Sequence, residues 1–223
     1  MDLLGLLLPQ KCAVCAHPDE PLCRSCRDGF ARLQPPLCDR CGAATAWPVA
    51  RCRECSGRRI AFATARAAVA YDAAAAAFVA AWKERGIRKL AGAAGDLVVE
   101  TLPPPPVGAL AFVPRDTERT LKRGHHPAER LAAELGSRWQ LPVLDVVERT
   151  RPVRPQRGLQ RAERRRNVSG AFRPRQADVP RRIALVDDVY TTGATAAAAA
   201  SALRGAGACE VHVITFARAV RGS

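Results

Sequence analysis

From residue 60 onward the chain alternates short apolar runs with stretches in which apolar residues recur every three or four positions. Residues 60–71 are rich in small apolar side chains and supply strand material. Residues 72–85 space Ala, Phe and Trp for a helix, and residues 88–102 suit a second, stopped by the proline run 103–106. A short buried strand is predicted at 110–113, ending at Pro114. A helix with Pro at its first turn follows at 127–139, then a strand around 143–147. Residues 149–166 hold eight arginines and one glutamate with no apolar period, which predicts a mobile surface loop. The run 182–186 is continuously apolar and of strand length. It leads through a short polar loop to an alanine-rich helix at 194–204 and a last strand at 210–216. Strands alternating with helices predict an α/β domain: a parallel sheet with helices packed on it.

Before residue 58 the pattern is different. Prolines, short polar turns and cysteines dominate, with too few large apolar residues for an independent core. Eight of the nine cysteines form four Cys-x-x-Cys pairs: Cys12/Cys15, Cys23/Cys26, Cys38/Cys41 and Cys52/Cys55. Reduced thiols in paired turns read as metal ligands, and four thiolates in a tetrahedron suit zinc, with an iron–sulfur cluster as the alternative. One or two structural zinc ions fit the count. Sequential pairing joins the first turn to the second; cross-braced pairing joins the first to the third; spacing does not separate them. The expected organisation is a zinc module over 1–58 and an α/β domain over 59–223. Cys209, alone in an apolar stretch, reads as a small buried hydrophobe.

Charge narrows the partners. The 35 basic residues against 21 acidic ones give a net charge of +14, which favours nucleic acid or phosphorylated metabolites. No run approaches the length of a membrane helix, and the acidic second residue argues against a secretory signal. A cytoplasmic protein without membrane insertion is expected.

The most informative stretch is Ile183 to Thr195. An apolar strand delivers Asp187 and Asp188 at its carboxyl edge, where ligands bind in open α/β sheets. Thr191, Thr192 and Gly193 form a tight turn before a helix that starts at Ala194. Converging amides, the helix N-terminus and the hydroxyls of Thr191, Thr192 and Thr195 suit one phosphate. The carboxylates suit ribose hydroxyls, or a magnesium ion bridging to pyrophosphate.

This stretch resembles the phosphoribosyl-pyrophosphate (PRPP) signature of type I phosphoribosyltransferases: four apolar residues, two acids, then Thr-Thr-Gly-x-Thr. The resemblance implies that Asp187 and Asp188 contact the ribose hydroxyls. It implies too that Thr191, Thr192, Gly193, Ala194 and Thr195 cradle the 5′-phosphate. Candidates for stabilising the departing pyrophosphate are Arg115 and Lys83, with magnesium accompanying PRPP. The two halves together resemble the ComF family of competence proteins, over nearly the whole chain. Tyr71, Trp82-Lys83, Gly86, Arg123-Gly124, Gln156, Leu159, Arg164, Asn167 and Phe172 look like further family motifs. The resemblance implies a type I phosphoribosyltransferase-like domain behind a double zinc ribbon, and a role in natural transformation. The chain departs from the family pattern at His125-His126-Pro127 and at Arg115-Asp116; the two histidines are candidates for proton donors or pyrophosphate contacts, though a pair of loop histidines is more commonly solvated. Two other readings stay open: a single-stranded-DNA-binding adaptor working with competence proteins, and a regulator that senses PRPP without chemistry. No motif marks the acceptor.

Overall fold

The computed structural model describes residues 11–18, 20–114, 125–150 and 170–220. Its centre is a five-stranded, all-parallel sheet of order β1-β7-β6-β2-β3, made of β1 (Thr64–Ala70), β2 (Ala109–Phe112), β3 (Val143–Leu144), β6 (Arg182–Tyr190) and β7 (Glu210–Arg218). A separate antiparallel pair joins β4 (Val147–Arg149) to β5 (Phe172–Pro174). The helices are α1 (Arg24–Asp28), α2 (Ala73–Lys83), α3 (Leu90–Thr101), α4 (Pro127–Trp139) and α5 (Ala194–Gly205). Among the described residues no helix is long and apolar enough to cross a membrane.

The central strands are apolar on both faces because each face is covered. Ile183 and Leu185 of β6 face α5, whose alanines Ala196, Ala199 and Ala200 let it lie close to the sheet. Ala184 and Val186 face the other way, onto α2, α3 and α4. The helix after β2 and the helix after β6 thus lie on opposite faces, and the strand order reverses between them. That reversal opens a crevice at the carboxyl ends of β2 and β6.

The cysteine segment is not a separate bead. Residues 31–33 run antiparallel along the free edge of β1, with Leu33 N–H donating to the Ala68 carbonyl and Ala70 N–H to the Ala31 carbonyl. From this edge the segment straddles the sheet. Its first half packs Leu22 and Phe30 with α2 and α3; its second packs Cys38, Cys41 and Cys55 on the α5 face. Arg27 pairs with Glu100 and Asp96 of α3, at the surface. The second half seats against β1 through Gly42, at φ +68°, where an added Cβ would lie 2.3 Å from the Ala65 carbonyl oxygen. No other residue fits that seat. The straddle leaves no open edge at β1, the place where a sheet recruits unwanted strands.

Several sequence expectations change. The strand expected at 143–147 breaks into β3 and β4, which belong to different sheets. β5 carried no readable pattern, since three residues are too few for a period. Of the expected basic loop, Arg149 lies in β4, and residues 151–166 fall outside the described residues. Strand β6 runs on through Asp187 and Asp188 to Tyr190, because cross-strand pairing with β7 continues to Arg218. Cys209 is exposed, not buried: it sits in the turn before β7, where Gly207 at φ +103° swings the chain outward.

Phe30 meets Phe78 and Phe216 edge-on, at centroid separations of 5.7 and 5.8 Å, so ribbon, helix and sheet share one aromatic cluster. Phe30→Ala should cost about 3–5 kcal/mol. Urea unfolding followed by circular dichroism and by cysteine accessibility should give one shared transition; two separated transitions would show that the ribbons fold alone.

Candidate functional site

Strand β6 ends at the crevice with Asp187 half-buried and Asp188 buried. The Asp188 backbone N–H donates to Asp187 Oδ1 at 2.9 Å, which fixes the first carboxylate. Lys83, the last residue of α2, places its Nζ 2.5 Å from Asp188 Oδ2. Helix α2 is aimed by Asp72, whose carboxylate accepts from Ala75 N–H at its start, and by fully buried Trp82 near its end. His125 Nε2 lies 2.6 Å from the Trp82 carbonyl oxygen. The two histidines expected in solvent are therefore packed: His125 is buried, and His126 lies edge-on to Phe112 with Nδ1 3.5 Å from Glu129. The flanking helices bury them, and no periodicity in the sequence signals it.

Two adjacent acids in this setting resist double ionisation. Burial, then the charge of Asp188, pushes the Asp187 carboxyl up to about 7, while Lys83 pulls it down.

Gly193 follows at φ +70°, ψ 10°, the left-handed turn that starts α5 without a side-chain cap. An added Cβ there would lie 2.2 Å from the Tyr190 hydroxyl, so only glycine lets the tyrosine ring lie against the turn. Thr191, Thr192 and Thr195 are partly exposed around it, and Ala194 is buried. Thr192 Oγ1 accepts from Ala194 N–H at 3.4 Å. The structure thus gathers Asp187, Asp188, Lys83 and the 191–195 turn at one sheet edge. Arg115, just beyond the end of β2, lies outside the described residues.

The cysteines form two clusters in sequential pairing: Cys12, Cys15, Cys23 and Cys26, then Cys38, Cys41, Cys52 and Cys55, with sulfurs within 4.8 Å of one another in each. The cross-braced arrangement does not occur. A Zn–S bond of about 2.3 Å implies a tetrahedron edge of about 3.8 Å. Sulfur separations are 3.7 Å for Cys15–Cys23, 3.6 Å for Cys38–Cys55 and 3.4 Å for Cys41–Cys52. Backbone amides point at single sulfurs: Cys23 N–H at Cys12, and Cys52 N–H at Cys38. Burial opposes ionisation, but backbone amides, that of Cys15 before that of Cys23 at Cys12 and that of Cys41 before that of Cys52 at Cys38, outweigh it and bring Cys12 down to about 6 and Cys38 to about 7. Burial and neighbouring thiolates push Cys26, Cys41 and Cys55 upward. Four sulfurs so crowded need a cation, and both sets fit structural zinc.

Sequence reasoning passed over two residues. Arg218, only 2% exposed at the end of β7, donates to the Cys41 carbonyl at 2.6 Å and to Glu54 Oε2 at 3.1 Å. Tyr190 lies under its guanidinium, 4.5 Å from ring centroid to Cζ. A lone arginine closing an apolar strand gives no sequence signal for either contact. Arg58, in the segment after Cys55, donates to the Thr192 carbonyl at 3.0 Å.

Residues 3–56 match the family model of a double zinc ribbon domain. Competence protein F of Haemophilus influenzae is 40% identical over 116 residues, half of each chain. Competence protein ComFC of Streptococcus pneumoniae is 26% identical over 204 residues, covering 91% of this chain and 90% of that one. DNA utilization protein YhgH of Escherichia coli O157:H7 is 37% identical over 108 residues, 48% of this chain and 47% of that one. Against the Haemophilus and Escherichia relatives the chain thus spans about half their length. A solved structure, TT1426 from Thermus thermophilus, overlays 60% of this chain and 84% of that one at 20% identity with a TM-score of 0.36, and adds nothing to the topology above.

A carboxyl raised in the folded state favours folding while it holds its proton and costs stability once it ionises. Asp187→Asn should therefore gain on the parent protein as pH rises from about 4 to about 7 and level off above. The advantage should reach on the order of 2 kcal/mol in urea titrations at pH 5, 6, 7 and 8. A difference that is flat with pH would contradict the burial. Metal analysis of freshly purified protein should give two zinc ions per chain, and chelation should lower the melting temperature.

Proposed function

We propose that the chain, which resembles the ComF family of competence proteins, is a PRPP-binding, phosphoribosyltransferase-like protein acting in DNA uptake. The carrying observation is the meeting of Asp187, Asp188, Lys83 and the 191–195 turn where the strand order reverses. In this reading Asp187 and Asp188 accept from the two ribose hydroxyls. The hydroxyls of Thr191, Thr192 and Thr195 and the amides around Gly193 and Ala194 hold the 5′-phosphate. Lys83, which reaches Asp188 across the crevice, turns to the pyrophosphate, and Arg115 joins it from the end of β2. Magnesium bound with PRPP supplies charge neutralisation at the pyrophosphate. If transfer occurs, the chain's own part in it is to hold the ribose rigid and to meet the departing negative charge. Residues 1–58, with the eight paired cysteines as ligands of two zinc ions, brace the domain of 59–223. The cytoplasm, where imported strands and PRPP meet, is the expected compartment.

A second reading, the nucleic-acid adaptor, has one observation in its favour. An open groove of about 1050 Å³ lies between the second ribbon and α5, with Arg51, Arg58 and Arg59 above a floor that includes Ala194, Ala197 and Ser201. A basic wall over a smooth floor suits the backbone of a single strand. The groove meets the phosphate turn at Ala194 and Arg58 and continues along α5, while the acids lie at the sheet edge.

PRPP with magnesium should raise the melting temperature, and the double variant Asp187→Asn with Asp188→Asn should remove the shift. Since Asp187 holds a proton up to about pH 7 and binding favours the ionised carboxylate, calorimetry near pH 6 in two buffers of different ionisation heat should show proton release. A melting curve indifferent to PRPP ends this reading. For the groove, single-strand binding followed by fluorescence anisotropy should weaken steeply with salt. Arg51→Glu with Arg59→Glu should flatten the log–log slope by about 1.4, at ~0.7 per lost phosphate contact. Unchanged slopes exclude the groove.

A further inference from the structure

The second cysteine cluster and the phosphate turn are joined by two arginines, Arg218 and Arg58. Arg218 reaches the cluster three times: Nη1 donates to the Cys41 carbonyl at 2.6 Å, and Nη2 approaches Cys41 Sγ at 3.6 Å and Glu54 Oε2 at 3.1 Å. Its opposite face covers the Tyr190 ring. Tyr190 is held on its other side by Phe62, edge-on at 6.2 Å and almost fully buried, and its hydroxyl end rests where a side chain on Gly193 would be. Arg58 makes the second link, with Nη1 on the Glu54 carbonyl and Nη2 on the Thr192 carbonyl. Both links leave from the Cys52–Cys55 turn or its partner knuckle; one ends on the Thr192 carbonyl and the other on the Tyr190 ring that lies against Gly193.

We propose that the second four-cysteine cluster positions the phosphate-binding turn, with Arg218 and Arg58 as positioning residues and the Tyr190 ring as the wedge between them. Glu54, between Cys52 and Cys55, gives the buried Arg218 guanidinium its counter-charge at 3.1 Å, and the Cys41 carbonyl on the facing knuckle gives it a fixed acceptor at 2.6 Å. The first cluster, on the opposite face, makes no such link among the described residues. The proposal rests on the reading that the 191–195 turn binds a sugar-phosphate, and it assigns to one of the two metal sites a role in ligand affinity as well as in folding.

The test uses the full chain, loaded with zinc and labelled with 3-fluorotyrosine. The two tyrosines, Tyr71 and Tyr190, give two fluorine signals, assigned with Tyr71→Phe. Arg58→Ala and Glu54→Gln touch partly exposed side chains and leave all eight cysteines intact; Arg218→Met is the more drastic variant. Arg58→Ala and Glu54→Gln should retain two zinc ions, move the Tyr190 signal and leave the Tyr71 signal in place. Their affinity for PRPP with magnesium, measured by calorimetry, should fall about tenfold, the size of one lost hydrogen bond to a charged group. Arg58→Lys, which can still reach the Thr192 carbonyl, should recover most of both changes. Zinc-replete variants with an unmoved Tyr190 signal and parental affinity would overturn the proposal. If the parent protein binds no PRPP, the functional reading fails by itself, and the Tyr190 signal alone still decides whether the cluster sets the turn.

Discussion

Two carboxylates side by side at the end of a buried strand cannot both be charged unless a cation stands beside them. Asp187 and Asp188 occupy that position, and the geometry around them answers that constraint. Lys83 is delivered from a different helix to within 2.5 Å of Asp188, and Asp187 keeps its proton up to about neutral pH. An arrangement of this kind works against stability and is maintained only because β6 is locked between β7 and β2. In the proposed reading the site is held ready for a ligand that brings hydroxyl groups and its own cation, as ribose-pyrophosphate with magnesium does.

The zinc ribbons belong to the same structure. A 223-residue chain with 5% aromatic residues builds its core largely from alanine, and such a core is thin. The ribbons thicken it on both faces. Phe30 completes the aromatic cluster under α2, and the second cluster closes the α5 face. Metal binding energy is thereby spent on the whole domain and on its sheet edge, where residues 31–33 occupy the open side of β1. The relatives named for competence and DNA utilization differ in how much of their length this chain matches. The ribbon and the phosphate turn nonetheless form one packed unit here, with Arg218 and Arg58 spanning them.

Much was legible in the sequence because the signals are local. Helix 127–139 followed from a proline at its first turn and a clean apolar stripe, and its bounds are those observed. The Asp-Asp-x-x-Thr-Thr-Gly-x-Thr string carries its own strand–turn–helix context. Four Cys-x-x-Cys pairs announce metal, since a turn of that spacing sets two sulfurs on one side of the chain. Boundaries failed where tertiary pairing overrode local character, as at Asp187, which reads as a loop residue until β7 extends the ladder past it.

What the sequence by itself determined was chemistry and order: which residues are ligands, which are acids, and in what succession strands and helices come. What only the tertiary structure decided was adjacency between distant parts. Nothing in the spacing says that Cys12 shares a cluster with Cys23 rather than Cys38, that Lys83 meets Asp188, or that Arg218 lies between a cysteine knuckle and Tyr190. Periodicity reports the environment of a residue along its own element, burial above all. The partners it finds across the fold depend on how sheet twist and helix packing bring separate elements together, and that information is spread over the whole chain.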